Sequence, residues 1–216
     1  MVILASNSPR RKQLLALGGW SFTILAASID EEPISGETPR DYVLRLAESK
    51  ARATAALAPD GAVVLAADTT VVSDGVILGK PAGPEEAASM LRLLRGRTHE
   101  VFSGLAALRL SDGVLLADWC VTGVTMRVYT DEDISAYIAT GDPLDKAGAY
   151  AIQHDGFHPV EKLTGCYTNV VGLPLCQVTR LLSQLGLDPD VHAPYACLYT
   201  QQEVCSISTD VLPEEA

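Results

Sequence analysis

The stretch AVVLAADTTVV, Ala62 to Val72, is a nearly continuous apolar run interrupted by a single charge, Asp68. Such a run suits a central strand buried on both faces rather than a half-exposed strand with alternating polarity. A strand of that kind belongs to a sheet covered by helices on each side, so the run predicts an α/β protein with a central mixed, twisted sheet. The question it leaves is why a carboxylate stands near its end.

Working outward, the flanking segments read as alternating strands and helices. Upstream, Val2 to Ala5 reads as a buried strand, followed by Ser8 as an N-cap and Pro9 as a first-turn proline. Gly18 and Gly19 stop that helix, SFTILAA reads as a second strand, and the acidic SIDEEPISGE follows as a loop. Thr38 and Pro39 then open a longer helix whose apolar face runs through Val43, Leu46, Ala47 and Ala51, with Lys50 on the same face. Downstream, SDG turns the chain into VILGKP, and Pro84 to Arg95 carries Ala87, Met90, Leu91 and Leu94 at helical spacing. EVFSGLAALRL and VLLADWCVTGVTMRV read as two more strands joined by a second SDG turn. Thr130 with Asp133 predicts a capping box for a short helix closing at Gly141. DPLDKAGAYAIQ fits neither period and is placed as a loop or short helix near a site. CYTNVVGLP reads as a last strand and Pro174 to Leu185 as a last helix.

The bulk properties set limits. The 216 residues suit one domain, expected over residues 1–185, with a loosely ordered extension over 186–216. At 48% hydrophobic and 20% charged residues, with no apolar run near the length of a membrane span, a soluble protein with no membrane partner is expected. Met1 leads directly into a strand pattern, which points to the cytoplasm. The five cysteines, Cys120, Cys166, Cys176, Cys197 and Cys205, are scattered without a CxxC pair, so neither disulfides nor a zinc site is expected. A net charge of -11 argues against a nucleic-acid partner, and any cationic site must be local.

Several charges stand where the pattern calls for burial. Arg10 and Arg11 occupy the positive end of a helix dipole, where each is disfavoured by roughly 0.3–1 kcal/mol. Lys50 lies on an apolar face, Asp68 at the end of a core strand, Lys80 at the end of a hairpin strand, and Asp145 and Lys146 within the small-residue segment. A strand followed by a helix N-terminus is an anion site, and two guanidinium groups strengthen it for phosphate. A carboxylate at the end of a parallel-type strand is placed to hold a hard divalent cation, with Glu31 or Glu32 as a second oxygen donor. Together these suggest metal-assisted phosphoryl or nucleotidyl hydrolysis.

The pieces LASNSPRRKQLL, IDEE, LRLAESKA, AADTTVV, GKP, EEAASMLRLLRGRTHEV, PLDKAGAYAIQ and VVGLP, in this order over residues 2–185, resemble the Maf family of nucleoside triphosphate pyrophosphatases, which is similar in fold to inosine triphosphatase. The resemblance implies a metal-dependent cut between the α and β phosphates, with Mg2+ or Mn2+, releasing a nucleoside monophosphate and pyrophosphate. Asp68 would be the proton acceptor or metal-organising carboxylate, and Ser8, Arg10 and Arg11 would hold phosphates. Glu31, Lys50 and Lys80 would complete the cleft. Thr69 and Gln153 resemble the form that acts on dTTP and UTP; the form acting on 7-methyl-GTP tends to show Gln and Glu there. An amide at Gln153 can donate to a uracil or thymine carbonyl and accept from the ring N–H, whereas guanine offers adjacent donors that suit a carboxylate. The resemblance is compatible with a homodimer. Two alternatives stay open: a pyrophosphatase of 7-methyl-GTP or another purine triphosphate, and a nucleotide-binding regulator of septum formation.

Overall fold

A computed structural model describes residues 1–201 and 208–212. Ala62 to Val72 lies in strand β3 (Val63–Ser73), the hub of a mixed sheet. On one side β3 pairs in parallel with β1 (Val2–Leu4), which pairs in parallel with β2 (Phe22–Ile24). On the other it runs antiparallel to β5 (Thr98–Arg109), then β6 (Leu115–Met126) and β7 (Val160–Thr164). A short strand β4 (Val76–Leu78) folds back onto the end of β3 through the first SDG turn.

Helices cover both faces. On one, α2 (Pro39–Ala55) lays Ala47 and Ala51 against Ile3, Val64, Ala66 and Ala106. On the other, α1 (Pro9–Leu17) and α6 (Leu175–Gln184) pack Leu14, Leu15, Val178 and Leu182 onto Val2, Leu4, Leu65 and Leu105. A further apolar cluster joins α3 (Pro84–Leu94) and α4 (Asp131–Ala139) to the far part of β3, β5 and β6. Ser8, Thr38 and Thr130 each cap their helices as expected, and Thr130 with Asp133 forms the full capping box.

Two positions set how closely the layers approach. Gly104 on β5 stands opposite Asp68, and a Cβ there would lie 2.3 Å from the Val43 carbonyl oxygen. Its lack of a side chain lets the α2 backbone rest directly on the sheet beside Asp68. Gly148, at φ +69, donates its N–H to the Gly79 carbonyl, and a Cβ would meet Val71 at 2.9 Å. The small-residue segment is thereby held against the β3–β4 hairpin; its pieces are two short 3₁₀ turns, Asp142–Asp145 and Ala147–Ala149.

The structure corrects four expectations. Asp68 is not at a strand end, because β5 pairs continuously with β3 from Val63 to Val72. It lies three residues beyond Leu65, where the parallel pairing with β1 stops, so the sheet is open on that side at Asp68. CYTNVVGLP is not a strand. Tyr167–Val171 forms a short helix, α5, because the Asn169 side chain donates to the Val101 carbonyl and to Thr122 Oγ1, both at 2.9 Å, and Gly172 turns the chain at φ +122. The final strand is instead β7 in the segment VEKLT, whose half-exposed and exposed side chains carry no apolar alternation. Nor is the extension loosely ordered where it is described. α7 (Ala193–Gln201) buries Ala193 and Ala196 in the core cluster, and a second short helix, α8, spans Ser208–Val211. Cys205 lies outside the described residues.

Candidate active site

The residues singled out in the sequence converge on one cleft of about 490 Å³. The turn from β1 into α1 supplies Ser6, Ser8, Arg10 and Arg11; α2 supplies Lys50; β3 supplies Thr69; the end of the hairpin supplies Lys80. The segment from Asp145 to Gln153 and the loop carrying Glu31 complete the lining. Asp68, 8% exposed, stands one side chain behind the wall and reaches the cleft through Lys50. Lys50 Nζ contacts Asp68 Oδ1 at 2.6 Å and Glu31 Oε1 at 2.7 Å, so two carboxylates from separate segments meet at one ammonium.

Arg11 folds back from the first turn of α1 and anchors three walls. Its Nε donates to the Gly172 carbonyl at 2.9 Å, Nη1 to Ser6 Oγ at 3.4 Å and Nη2 to Thr69 Oγ1 at 3.2 Å. Thr69 Oγ1 also shares a hydrogen bond of 2.8 Å with Ser103 Oγ. Thus Ser6, Ser103 and Gly172, absent from the expected set, position two residues that are in it. Gly172 had a signal, since it lies within VVGLP; Ser103 is brought in only by the antiparallel register that sets it opposite Thr69. The Ser8 hydroxyl accepts the Arg11 backbone N–H as the helix cap. Lys80 and Gln153 are exposed, and Gln153 with Arg10 stands where the cleft adjoins a second pocket of about 310 Å³.

The electrostatics are uneven. Burial lowers the Arg11 guanidinium pKa, opposed by the charge of Asp68, and an arginine stays protonated under such a shift. Burial pushes the Glu31 carboxyl up, yet the hydrogen bond from Lys50 and the charges of Lys50, Lys80 and Arg11 outweigh it and hold the group below its ordinary range. Asp145 and Lys146 pair with each other at 2.7 Å, and Lys146 also binds the Asp142 carboxylate at 2.9 Å. Among the described residues, Arg10, Arg11 and Lys80 form no ion pair. The cleft therefore offers three cations without a direct ion-pair partner among the described residues, beside a helix N-terminus, an arrangement suited to an anion with several charges.

No three His, Cys, Asp or Glu side chains gather into a metal cage among the described residues. Mg2+, however, commonly takes one or two carboxylates and completes its shell with water and substrate phosphate oxygens. Glu31 and Asp68, whose oxygens converge on the Lys50 ammonium, are hard donors that fit that need.

Fold and cleft together define an α/β protein with a localised cationic cleft in an acidic molecule. Comparison with known proteins narrows this: the model of the Maf-like protein family matches residues 1–185. The chain belongs to that family. It is 50% identical over 185 residues to a Geobacter sulfurreducens protein named dTTP/UTP pyrophosphatase, covering 86% of this chain and 96% of that one. A Moorella thermoacetica protein of the same name is 50% identical over 187 residues, covering 87% and 96%. Among solved structures, a Mycobacterium abscessus nucleoside-triphosphatase / dITP/XTP pyrophosphatase aligns with TM-score 0.41 and 14% identity, covering 85% of this chain and 97% of that one.

Proposed function

We propose that the protein hydrolyses dTTP and UTP to the nucleoside monophosphate and pyrophosphate, as the names of its relatives say of them. The observation that carries the site assignment is the set of unpaired cations, Arg10, Arg11 and Lys80, on one cleft with the Lys50–Asp68–Glu31 cluster. The triphosphate lies against the α1 N-terminus, where Ser8, Arg10 and Arg11 take phosphate oxygens and Lys80 neutralises further charge. Asp68 accepts a proton from the water that attacks the α phosphorus. The new P–O bond forms as the bond from phosphorus to the α,β-bridging oxygen breaks, and pyrophosphate leaves with that electron pair. Lys50 orients the Asp68 carboxylate and presents charge to the α phosphate. Glu31 and Asp68 would hold Mg2+ or Mn2+, which when bound neutralises charge on the phosphate oxygens.

Gln153 and Thr69 read the base from the cleft wall. The exposed Gln153 amide can donate to a uracil or thymine carbonyl and accept from the ring N–H, a pairing that guanine's adjacent donors do not offer.

The test is pyrophosphate release over a panel of nucleoside triphosphates with Mg2+ or Mn2+. dTTP and UTP should turn over fastest, and Asp68→Asn should lose about 10²–10⁴-fold in kcat with nucleotide binding retained, the range expected for removal of a general base. Saturable binding without turnover would favour a regulator. Unchanged kcat in Asp68→Asn would remove its role, and a preference for 7-methyl-GTP would overturn the base assignment.

A further inference from the structure

Glu31 sits in a segment with no regular structure between β2 and α2, and its side chain is half exposed. A carboxylate so placed is not fixed by its own backbone. Yet the segment is gripped along its length by side chains of α2. Tyr42 Oη donates to the Glu31 backbone carbonyl at 3.0 Å. Arg45 Nη2 donates to the neighbouring Glu32 carbonyl at 3.1 Å. The same guanidinium holds the Glu37 carboxylate in a two-point clamp, Nε to Oε1 at 2.6 Å and Nη2 to Oε2 at 2.8 Å. Glu37 in turn accepts the Ile34 N–H, closing the turn that leads back to Glu31.

We propose that Tyr42, Arg45 and Glu37 form a positioning strap that fixes the loop between β2 and α2, so that the Glu31 carboxylate meets Asp68 at the cation-binding point of the cleft. The physical reason is geometric. Among the described residues, Glu31 and Asp68 come from segments with no shared backbone pairing, and α2 bridges them by carrying Lys50 to both carboxylates. Fixing the Glu31 carbonyl from the same helix turns a loop carboxylate into a member of a rigid pair, and two donors hold a cation well only when their spacing is set beforehand. The two-point guanidinium clamp supplies directional rigidity that a lysine at 45 could not reproduce.

This inference rests on the proposed role of Glu31 in holding the metal, and the experiment separates the two. Mn2+ binding to the full-length protein is followed by electron paramagnetic resonance in the presence of α,β-imido-dUTP, a ligand that cannot be cleaved. Thermal melting and the Mn2+ dependence of dTTP cleavage are measured in parallel. Arg45→Met and Tyr42→Phe should each weaken Mn2+ binding at least fivefold, with kcat at saturating Mn2+ within twofold of the unaltered protein. Arg45→Lys should restore little of the loss. In a Glu31→Gln background neither change should weaken binding further, because the group they position is gone. Unchanged Mn2+ affinity in both Arg45→Met and Tyr42→Phe, or losses that add fully to that of Glu31→Gln, would overturn the strap. If Glu31→Gln alone leaves Mn2+ binding intact, the metal assignment of Glu31 fails first and the strap with it. Weaker binding that only tracks a lower melting temperature would mark a structural role and also overturn the proposal.

Discussion

His99, 3% exposed on β5, shares a 2.7 Å hydrogen bond with the hydroxyl of Tyr150, which lines the cleft. Its other ring nitrogen, Nδ1, has no hydrogen-bond partner among the described residues. Burial lowers its pKa from 6.5 to about 4, so the folded protein keeps it neutral. The folded value lies below the unfolded one, so the unfolded chain takes up the proton first as the pH falls. Stability is therefore unaffected above about pH 6.5, declines between about 6.5 and 4, and levels off below that; a shift from 6.5 to about 4 corresponds to a loss on the order of 3 kcal/mol. In His99→Phe that slope should vanish, while the unpartnered Tyr150 hydroxyl costs about 1–3 kcal/mol at every pH. Urea denaturation of both proteins from pH 7.5 to 4.5 measures the difference, and parallel acid limbs would show that His99 protonation is not involved. The sequence made Lys50, Asp68 and the two arginines legible because charge is conspicuous on an apolar pattern. It could not reveal His99 or Ser103, polar residues whose partners at Tyr150 and Thr69 lie far along the chain.

At the scale of elements, α2 on β5 is the contact that brings Lys50 to Asp68. Gly104 permits it, since a Cβ at that position would stand 2.3 Å from the Val43 carbonyl oxygen and 2.7 Å from the Leu44 nitrogen. Both atoms belong to helix backbone and cannot rotate away. Gly104→Ala should push α2 from the sheet, costing about 1–3 kcal/mol or more, the range for overpacking a filled core. Because Lys50 rides on the same helix, kcat for dTTP should fall as well, with little change in a glycine control whose added Cβ meets open space in extended backbone, such as Gly83→Ala. Denaturant midpoints and steady-state kinetics report both quantities, and a Gly104→Ala protein with unchanged midpoint and kcat would refute the close-approach argument. Elements were legible where pattern and tertiary environment agree, as in β3, α2 and α3. α5 was not, because Val170 and Val171 favour a strand by local preference, while the Asn169 bonds to Val101 and Thr122 and the turn at Gly172 impose a helix. β7 escaped for the opposite reason, its half-exposed and exposed residues showing no buried face.

Over the whole molecule, described residues of the extension beyond the family match take part in the core. Ala193 and Ala196 are 2% and 0% exposed and join the cluster beneath α1 and α6, which also includes Trp20 and Leu185. One side-chain and one backbone donor tie the connection down: Trp20 Nε1 donates to the Leu187 carbonyl at 3.1 Å, and the Val191 N–H donates to the Gly18 carbonyl at 3.1 Å. The extension thus packs behind α1, the helix whose N-terminus carries Arg10 and Arg11. A sequence reading finds no period there because the residues that make the contact, Ala193, Ala196 and Cys197 with the partly buried Leu187, Val191, Val211 and Leu212, follow neither a helical nor a strand spacing over that stretch. Ala196→Glu places a charge in a closed apolar site and should cost on the order of 3 kcal/mol or more, since the group must be buried unpaired or expel its neighbours. Its effect on chemistry should be indirect: the folded fraction falls, while kcat per folded molecule stays near that of the unaltered protein because the cleft is lined by other residues. Melting temperature together with active-site titration by the uncleavable analogue separates these quantities. Ala196→Ser, which adds a single oxygen, should lie between the two proteins in stability and match both in kcat. A wild-type melting temperature in Ala196→Glu would mean that α7 does not seal the core.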